Sequence, residues 1–131
     1  MKIIVGLVCA VVLFSCQQKK VSMNIDKNYV PQTPQLSSDV MTPEVLWSFG
    51  RVGGAQLSPD GKTVLYTVTY FNIEEDKSYR DIYTIPVAGG VARNITRSVA
   101  KESDPVWRPD GKKIAYLSAI SGSVQAWEIN P

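Results

Sequence analysis

Histidine is missing from this sequence altogether, and cysteine occurs only at Cys9 and Cys16. Without histidine, a serine hydroxyl here has no imidazole to take its proton. No Gly-x-Ser-x-Gly segment occurs either, so the strand-to-helix elbow that presents a hydrolase serine is not written in these residues. The two cysteines lie so near the amino terminus that residues 17–131 hold no thiol for a disulfide, a metal or a nucleophile. The expectation is no catalytic residue, no metal site and no cofactor in this chain.

Charge of one sign is lacking as well. Fourteen Lys and Arg against 12 Asp and Glu leave a net +2. No basic stripe with interleaved aromatics stands out, which argues against nucleic acid as a partner. The densest runs, Gln17-Gln18-Lys19-Lys20 and Glu74-Glu75-Asp76, read as solvated linker and solvated loop.

Nor is there an apolar run long enough to span a bilayer. Ile3 to Phe14 supplies about twelve residues where roughly 20 are needed. Preceded by Lys2, this run has the length of a secretory h-region. It ends in Leu13-Phe14-Ser15-Cys16, which resembles a bacterial lipobox, where a small residue precedes a cysteine that receives a diacylglyceryl group. That likeness implies residues 1–15 as a lipoprotein signal and Cys16 as the lipidated first residue of the mature chain, tethering it to a membrane surface. The other reading of Cys16 is an incidental thiol behind an ordinary signal. Gln17 lacks the aspartate associated with inner-membrane retention, which favours the outer membrane, facing the periplasm.

Residues 16–41 are polar, contain Pro31 and Pro34, show no apolar period and read as a tether. Thr42-Pro43-Glu44 then offers a cap, a first-turn proline and a first-turn acid, so a short helix is predicted over 42–50, with Gly50 closing it in a left-handed conformation.

Beyond Gly53-Gly54 the period becomes two. Ala55 to Ser58, Thr63 to Tyr70, Asp81 to Ile85 and Val91 to Thr96 read as four strands joined by short turns. Then the pattern restarts. Ser58-Pro59-Asp60-Gly61 returns as Arg108-Pro109-Asp110-Gly111, and Val64-Leu65-Tyr66 returns as Ile114-Ala115-Tyr116, both about 50 residues on. The third strand returns after only about 44, as Gln125 to Ile129, a period within the range of a four-stranded propeller blade. The surplus in the first copy is assigned to a lengthened loop over Phe71 to Tyr79.

Backbone geometry accounts for the repeated turn. Proline presets the first central dihedral, aspartate accepts local backbone N–H groups, and glycine takes the left-handed position. Pro59, Asp60, Gly61, Pro109, Asp110 and Gly111 are therefore read as structural turn residues, although acid or ligand roles for Asp60 and Asp110 are the functional alternative. Glu74-Glu75 invites comparison with acidic pairs that hold a substrate amine, but fits exposed loop charge. Asn94-Ile95-Thr96 reads as the polar end of the fourth strand, and Trp47, Trp107 and Trp127 as packing. No helix signal follows Gly89-Gly90, so it is not a phosphate loop.

SPDGKTVLYTV and WRPDGKKIAYLS together resemble the repeat of TolB-type bacterial β-propellers and of the amino-terminal propellers of prolyl oligopeptidase-like (S9) serine peptidases. MTPEVLWSFGRVGGAQLSPDGKTVLYTVTY, residues 41–70, is similar to the first-blade entrance of the dipeptidyl-peptidase and acylaminoacyl-peptidase members. The resemblance implies an all-β fold over 51–131, an incomplete propeller with one blade at about 54–97 and three strands of a second at about 104–131. It also implies further blades and a hydrolase domain carried elsewhere, with this chain the amino-terminal fragment of an exported peptidase acting on short peptides. None of the family's catalytic residues maps onto a position of this sequence. A non-enzymatic propeller lipoprotein that binds an envelope protein or glycan is the alternative.

The lipobox reading predicts that cells grown with labelled palmitate label this chain and not its Cys16→Ser form; equal labelling of both would refute it.

Overall fold

The computed structural model describes Leu36 and residues 38–131. Cys16, the signal segment 1–15 and most of the tether 16–41 lie outside the described residues. The first element among the described residues is helix α1, Pro43–Ser48. The Thr42 hydroxyl accepts the Val45 N–H at 3.4 Å, Pro43 opens the helix, and Glu44 stands in its first turn. Gly50 departs from expectation. The chain leaves the helix through Phe49 in an extended conformation (φ −73°), and Gly50 is not left-handed. Glycine is required there for space, because a Cβ would stand 2.6 Å from Tyr70 Cε1 and 2.8 Å from Val68 Cγ1.

Four antiparallel strands follow in the order β1-β2-β3-β4: Arg51–Leu57, Thr63–Asn72, Lys77–Pro86 and Arg93–Asn94. The first begins earlier than the expected Ala55, because a bulge between Gly53 and Gln56 absorbs the glycine pair that seemed to precede the strand. Gly54 takes φ +60° in it. A second correction concerns Phe71 to Tyr79, which is mostly strand. Pairing runs on through Tyr70↔Tyr79 and Phe71↔Ser78 to Asn72↔Lys77, leaving only Ile73 to Asp76 as the connection. The surplus residues lengthen a hairpin, since aromatic side chains on paired strands extend the ladder up to the acidic tip.

The fourth strand is shorter than the expected Val91 to Thr96 and pairs only at Tyr83↔Asn94 and Thr84↔Arg93. Side chains replace the ladder beyond that point: the Ile82 N–H donates to Thr96 Oγ1 at 3.0 Å, while the Ile95 N–H still reaches the Ile82 carbonyl at 2.9 Å. The second sheet runs β5-β6-β7: Ser103–Trp107, Ile114–Ser118 and Gln125–Ile129. Its first strand carries a bulge between Ser103 and Val106, with Asp104 at φ +50°. Two successive meanders of one design form propeller blades, and two blades do not close a ring.

The core is the layer between them. Leu65 and Ile82 of the first sheet and Ile114 and Tyr116 of the second form one buried cluster, flanked by Ile95, Trp107, Trp127 and Ile129. Register explains the selection. Tyr116 faces Trp127, and Ile114 faces both Trp107 and Ile129, so all five share one side of the second sheet. Gln56 Nε2 donates to the Pro105 carbonyl at 2.7 Å and ties the two first strands together. Among the described residues no helix is long and apolar enough to cross a membrane.

Ile82→Ala and Ile114→Ala should each lower the unfolding free energy by about 2–5 kcal/mol in urea titrations, and the pair should cost less than the sum because they share one cavity. Val91→Ala, at a site 89% exposed, should shift it by less than about 0.5 kcal/mol. Strictly additive effects of the two core changes would break the single-layer account.

Candidate functional site

Each Pro-Asp-Gly turn closes the hairpin between the first two strands of its sheet. In the first, the Gly61 N–H donates to the Ser58 carbonyl at 2.8 Å, and Gly61 takes φ +70°. Asp60 Oδ1 accepts from the Ser58 hydroxyl at 2.6 Å and the Lys62 N–H at 3.1 Å, and these bonds, the hydroxyl's first, hold its pKa below the ordinary value. In the second, the Gly111 N–H donates to the Arg108 carbonyl at 2.8 Å, and Gly111 takes φ +68°.

Arg108 stands where the first copy has Ser58. Its guanidinium donates from Nε and Nη2 to the two Asp110 oxygens at 2.9 and 2.8 Å, and Asp110 also accepts the Lys112 N–H at 3.0 Å. The Asp110 pKa falls to about 2, chiefly through Arg108. The turns meet each other, since a methyl added at Gly111 would lie 3.7 Å from Pro59 Cδ. A shallow cavity of about 470 Å³ between them includes Trp107 in its wall. Both carboxylates are thus occupied by their own turns. Among the described residues no group of three or more His, Cys, Asp or Glu could hold a metal ion.

A larger open cleft, about 830 Å³, lies between α1 and the long β2–β3 hairpin, with Trp47, Phe71, Tyr79 and Lys101 among its walls. Trp47 meets Phe71 edge-on, with centroids 5.1 Å apart, and the Arg51 guanidinium sits 4.6 Å from the Trp47 ring centre and 4.9 Å from that of Phe71. This cluster clamps the short helix onto the hairpin. Glu75, at the hairpin tip, accepts from Lys77 Nζ at 3.2 Å and the Tyr79 hydroxyl at 3.0 Å, which lower its pKa. Glu74 and Glu75 are both exposed, and the contacts of Glu75 are intraloop ones.

Sequence reasoning missed a polar network at the junction of the blades. The Asp81 carboxylate accepts from Asn94 Nδ2 (2.7 Å), Thr96 Oγ1 (2.8 Å) and the Ser98 N–H (3.2 Å). Asn94 Oδ1 accepts the N–H groups of Thr96 and Arg97, so the triplet read as a strand end is a polar hub. Glu102, 1% exposed, takes the Ser98 hydroxyl on Oε1, while Oε2 meets no partner in hydrogen-bond geometry among the described residues. Burial raises the Glu102 pKa and the Asp81 charge adds to the rise, against the opposing pull of the Ser98 and Ser118 hydroxyls. The surrounding residues gave no signal for it, because a glutamate between Lys101 and Ser103 looks like loop charge. Trp107 and Trp127 turn inward onto the core cluster, each with a buried indole N–H that meets no acceptor among the described residues; Trp47 stays partly exposed.

No family model matches the chain. It is 38% identical over 106 residues to dipeptidyl-peptidase 5 of Porphyromonas endodontalis, a match taking in 81% of this chain and 15% of that protein. To dipeptidyl-peptidase 5 of Porphyromonas gingivalis it is 35% identical over 95 residues, 72% of this chain and 14% of that protein. The chain therefore spans about one seventh of the length of these curated relatives. A solved structure of a TolB-like protein from Agrobacterium tumefaciens aligns with a TM-score of 0.45 and 28% identity, over 56% of this chain and 24% of that one.

The buried carboxyl has a consequence for stability. Glu102 binds its proton more tightly folded than unfolded, so its contribution is fully present below its ordinary value of 4.5 and is lost as pH rises through the raised folded value. Urea midpoints of the chain should fall with rising pH across that window, and Glu102→Gln should flatten that part of the profile. An unchanged slope in the variant would assign the dependence elsewhere.

Proposed function

We propose, for a chain that belongs to the propeller repeats of the prolyl oligopeptidase-like peptidases, that it forms the first blades of an exported, lipid-anchored serine peptidase acting on short peptides. The observation that carries this reading is the 38% identity to a dipeptidyl-peptidase 5 across 81% of the chain, together with a fold of one four-stranded blade and three strands of a second. The blades contribute scaffold and gating. They stand beside the reaction, and the ring they begin restricts which peptides reach a hydrolase serine.

Catalysis in this proposal belongs to a hydrolase domain outside the 131 residues, since the chain has neither histidine nor Gly-x-Ser-x-Gly. Further blades and that domain are its partners within the protein, and the lipid on Cys16 holds the assembly at the envelope, at the periplasmic face of the outer membrane. A peptidase of this kind needs an entrance that admits short chains and refuses folded ones, and a closed ring of blades around a channel supplies one.

The test compares two proteins on dipeptide amides. The 131-residue chain should give no turnover above background, and the chain extended by its downstream coding sequence should cleave the substrate and lose activity when the serine of its Gly-x-Ser-x-Gly is replaced. Turnover by the short chain refutes the assignment. So does a coding sequence that completes a ring in five or six further repeats with no such serine, which would leave a binding propeller.

A further inference from the structure

The layer between the blades changes character along the strands. At the end near the turns it is apolar, with Leu65, Ile82, Ile114 and Tyr116. At the other end the register sets three residues of the first sheet in one row: Arg51 pairs with Thr69, and Thr69 pairs with Arg80. Directly paired residues point to the same side of a sheet, so two guanidinium-bearing side chains flank one threonine. Their backbones are two strand spacings apart, roughly 10 Å, a span that two arginine side chains can close upon a single small group.

These arginines have donors to spare. Arg80 uses Nε on Thr69 Oγ1 at 2.9 Å, and neither of its terminal nitrogens meets an acceptor among the described residues. Arg51 is held through the faces of Trp47 and Phe71, contacts that take up ring surface and no N–H. Neither forms an ion pair among the described residues; the bridges present join Lys77 to Glu75 and Arg108 to Asp110 and Glu128. Both line a cleft of about 510 Å³ with Thr69, Asp104 and Pro105. Asp104 supplies one negative charge to the wall and bridges to neither arginine, so among the described residues the cleft keeps an uncompensated positive charge. Like charges in one sheet row repel, and an anion between them removes the repulsion while satisfying both forks.

We propose that this cleft is a carboxylate-recognition site that takes the carboxyl-terminal end of an extended peptide. The occupant follows from the other wall. Among the described residues strand β1 is the edge of its sheet, exposed along its whole length, and residues 51–54 of that edge line the cleft. A sheet edge presents N–H and C=O groups to an extended chain, which a bare inorganic anion does not use. The Arg pair fixes the terminus, and the edge fixes the direction of the segment behind it. The site stands independently of the peptidase reading, because binding is measured on this chain alone.

Calorimetric titration of the full 131-residue chain with N-acetyl-trialanine, its carboxyl-terminal amide and inorganic phosphate tests the site. The free acid should bind, the amide should bind at least about tenfold more weakly, and Arg51→Gln and Arg80→Gln should each cost about tenfold. Asp104→Asn should tighten binding, and Lys62→Gln, on the remote turn, should leave it unchanged. Equal binding of acid and amide overturns the proposal, as do arginine variants that keep the wild-type circular dichroism and bind like wild type. Binding of phosphate alone, with no peptide acid bound, also overturns it, as a site for an inorganic oxyanion only. Should the glutamine variants unfold, Asp104→Asn decides: tighter binding of the acid supports the site, and unchanged affinity refutes it.

Discussion

Leu65 and Ile82 are fully buried because a second sheet lies on them, and that one layer organises everything else in the chain. The contact is not between like faces. Leu57, Tyr66 and Tyr83 occupy the places in the first blade that Trp107, Tyr116 and Trp127 occupy in the second. In the second blade these aromatic residues look toward the first blade, and they pack on its aliphatic face of Leu65 and Ile82. The aromatic face of the first blade looks the other way. There Tyr66 and Tyr83 stack on each other with centroids 5.7 Å apart, and Leu57 is 60% exposed where its counterpart Trp107 is half-buried. Each repeat therefore offers one kind of face and accepts another. Head-to-tail stacking of this sort gives every interface the same chemistry from a repeating sequence.

Polar groups stitch the layer where the chain crosses between sheets. Lys101 bridges to Arg80 in parallel, and the Glu102 N–H reaches the Arg80 carbonyl at 3.0 Å. Within the same turn of chain, Ser98 links the Asp81 carboxylate to the Glu102 carboxyl. A carboxyl with an unpartnered buried oxygen is expensive when charged, which is why burial, and not the neighbouring hydroxyls, dominates the direction of its pKa. Tyr116, in the same layer, is driven the same way for the same reason, up to about 12, with the Glu102 charge adding to the effect. Burial in this layer disfavours the charged form of both groups.

How much of this was legible depends on how local the cause is. The Pro-Asp-Gly turns were, because proline, aspartate and glycine each satisfy a backbone need within four residues. The blade period was, because alternation and turn spacing survive without tertiary contacts. The hairpin from Phe71 to Tyr79 was misread, since its polar tip hides a ladder that only cross-strand pairing of Tyr70 with Tyr79 reveals. The short fourth strand failed for a related reason: Thr96 Oγ1 replaces a backbone carbonyl, a substitution made by a side chain that propensity treats as strand-forming. Glu102 and the Arg51–Thr69–Arg80 row could not be read at all, because each exists only once three strands, or two sheets, have set their register.

The blade has two ends, and they differ in what they can still do. At the end of the turns the acids are spent: Asp60 and Asp110 accept from their own backbone and from Ser58 or Arg108, and both lie below their ordinary pKa. Such a carboxylate has little left to offer a proton or a cation. At the opposite end the bulge at Gly53 and Gln56 turns β1, the aromatic clamp holds Arg51 in place, and Thr69 holds Arg80. Fixing a guanidinium without consuming its terminal donors lowers the ordering cost of a later contact. The repeated motif that draws the eye in the sequence therefore closes one end of the sheet, and the capacity for recognition collects at the end where no motif is visible.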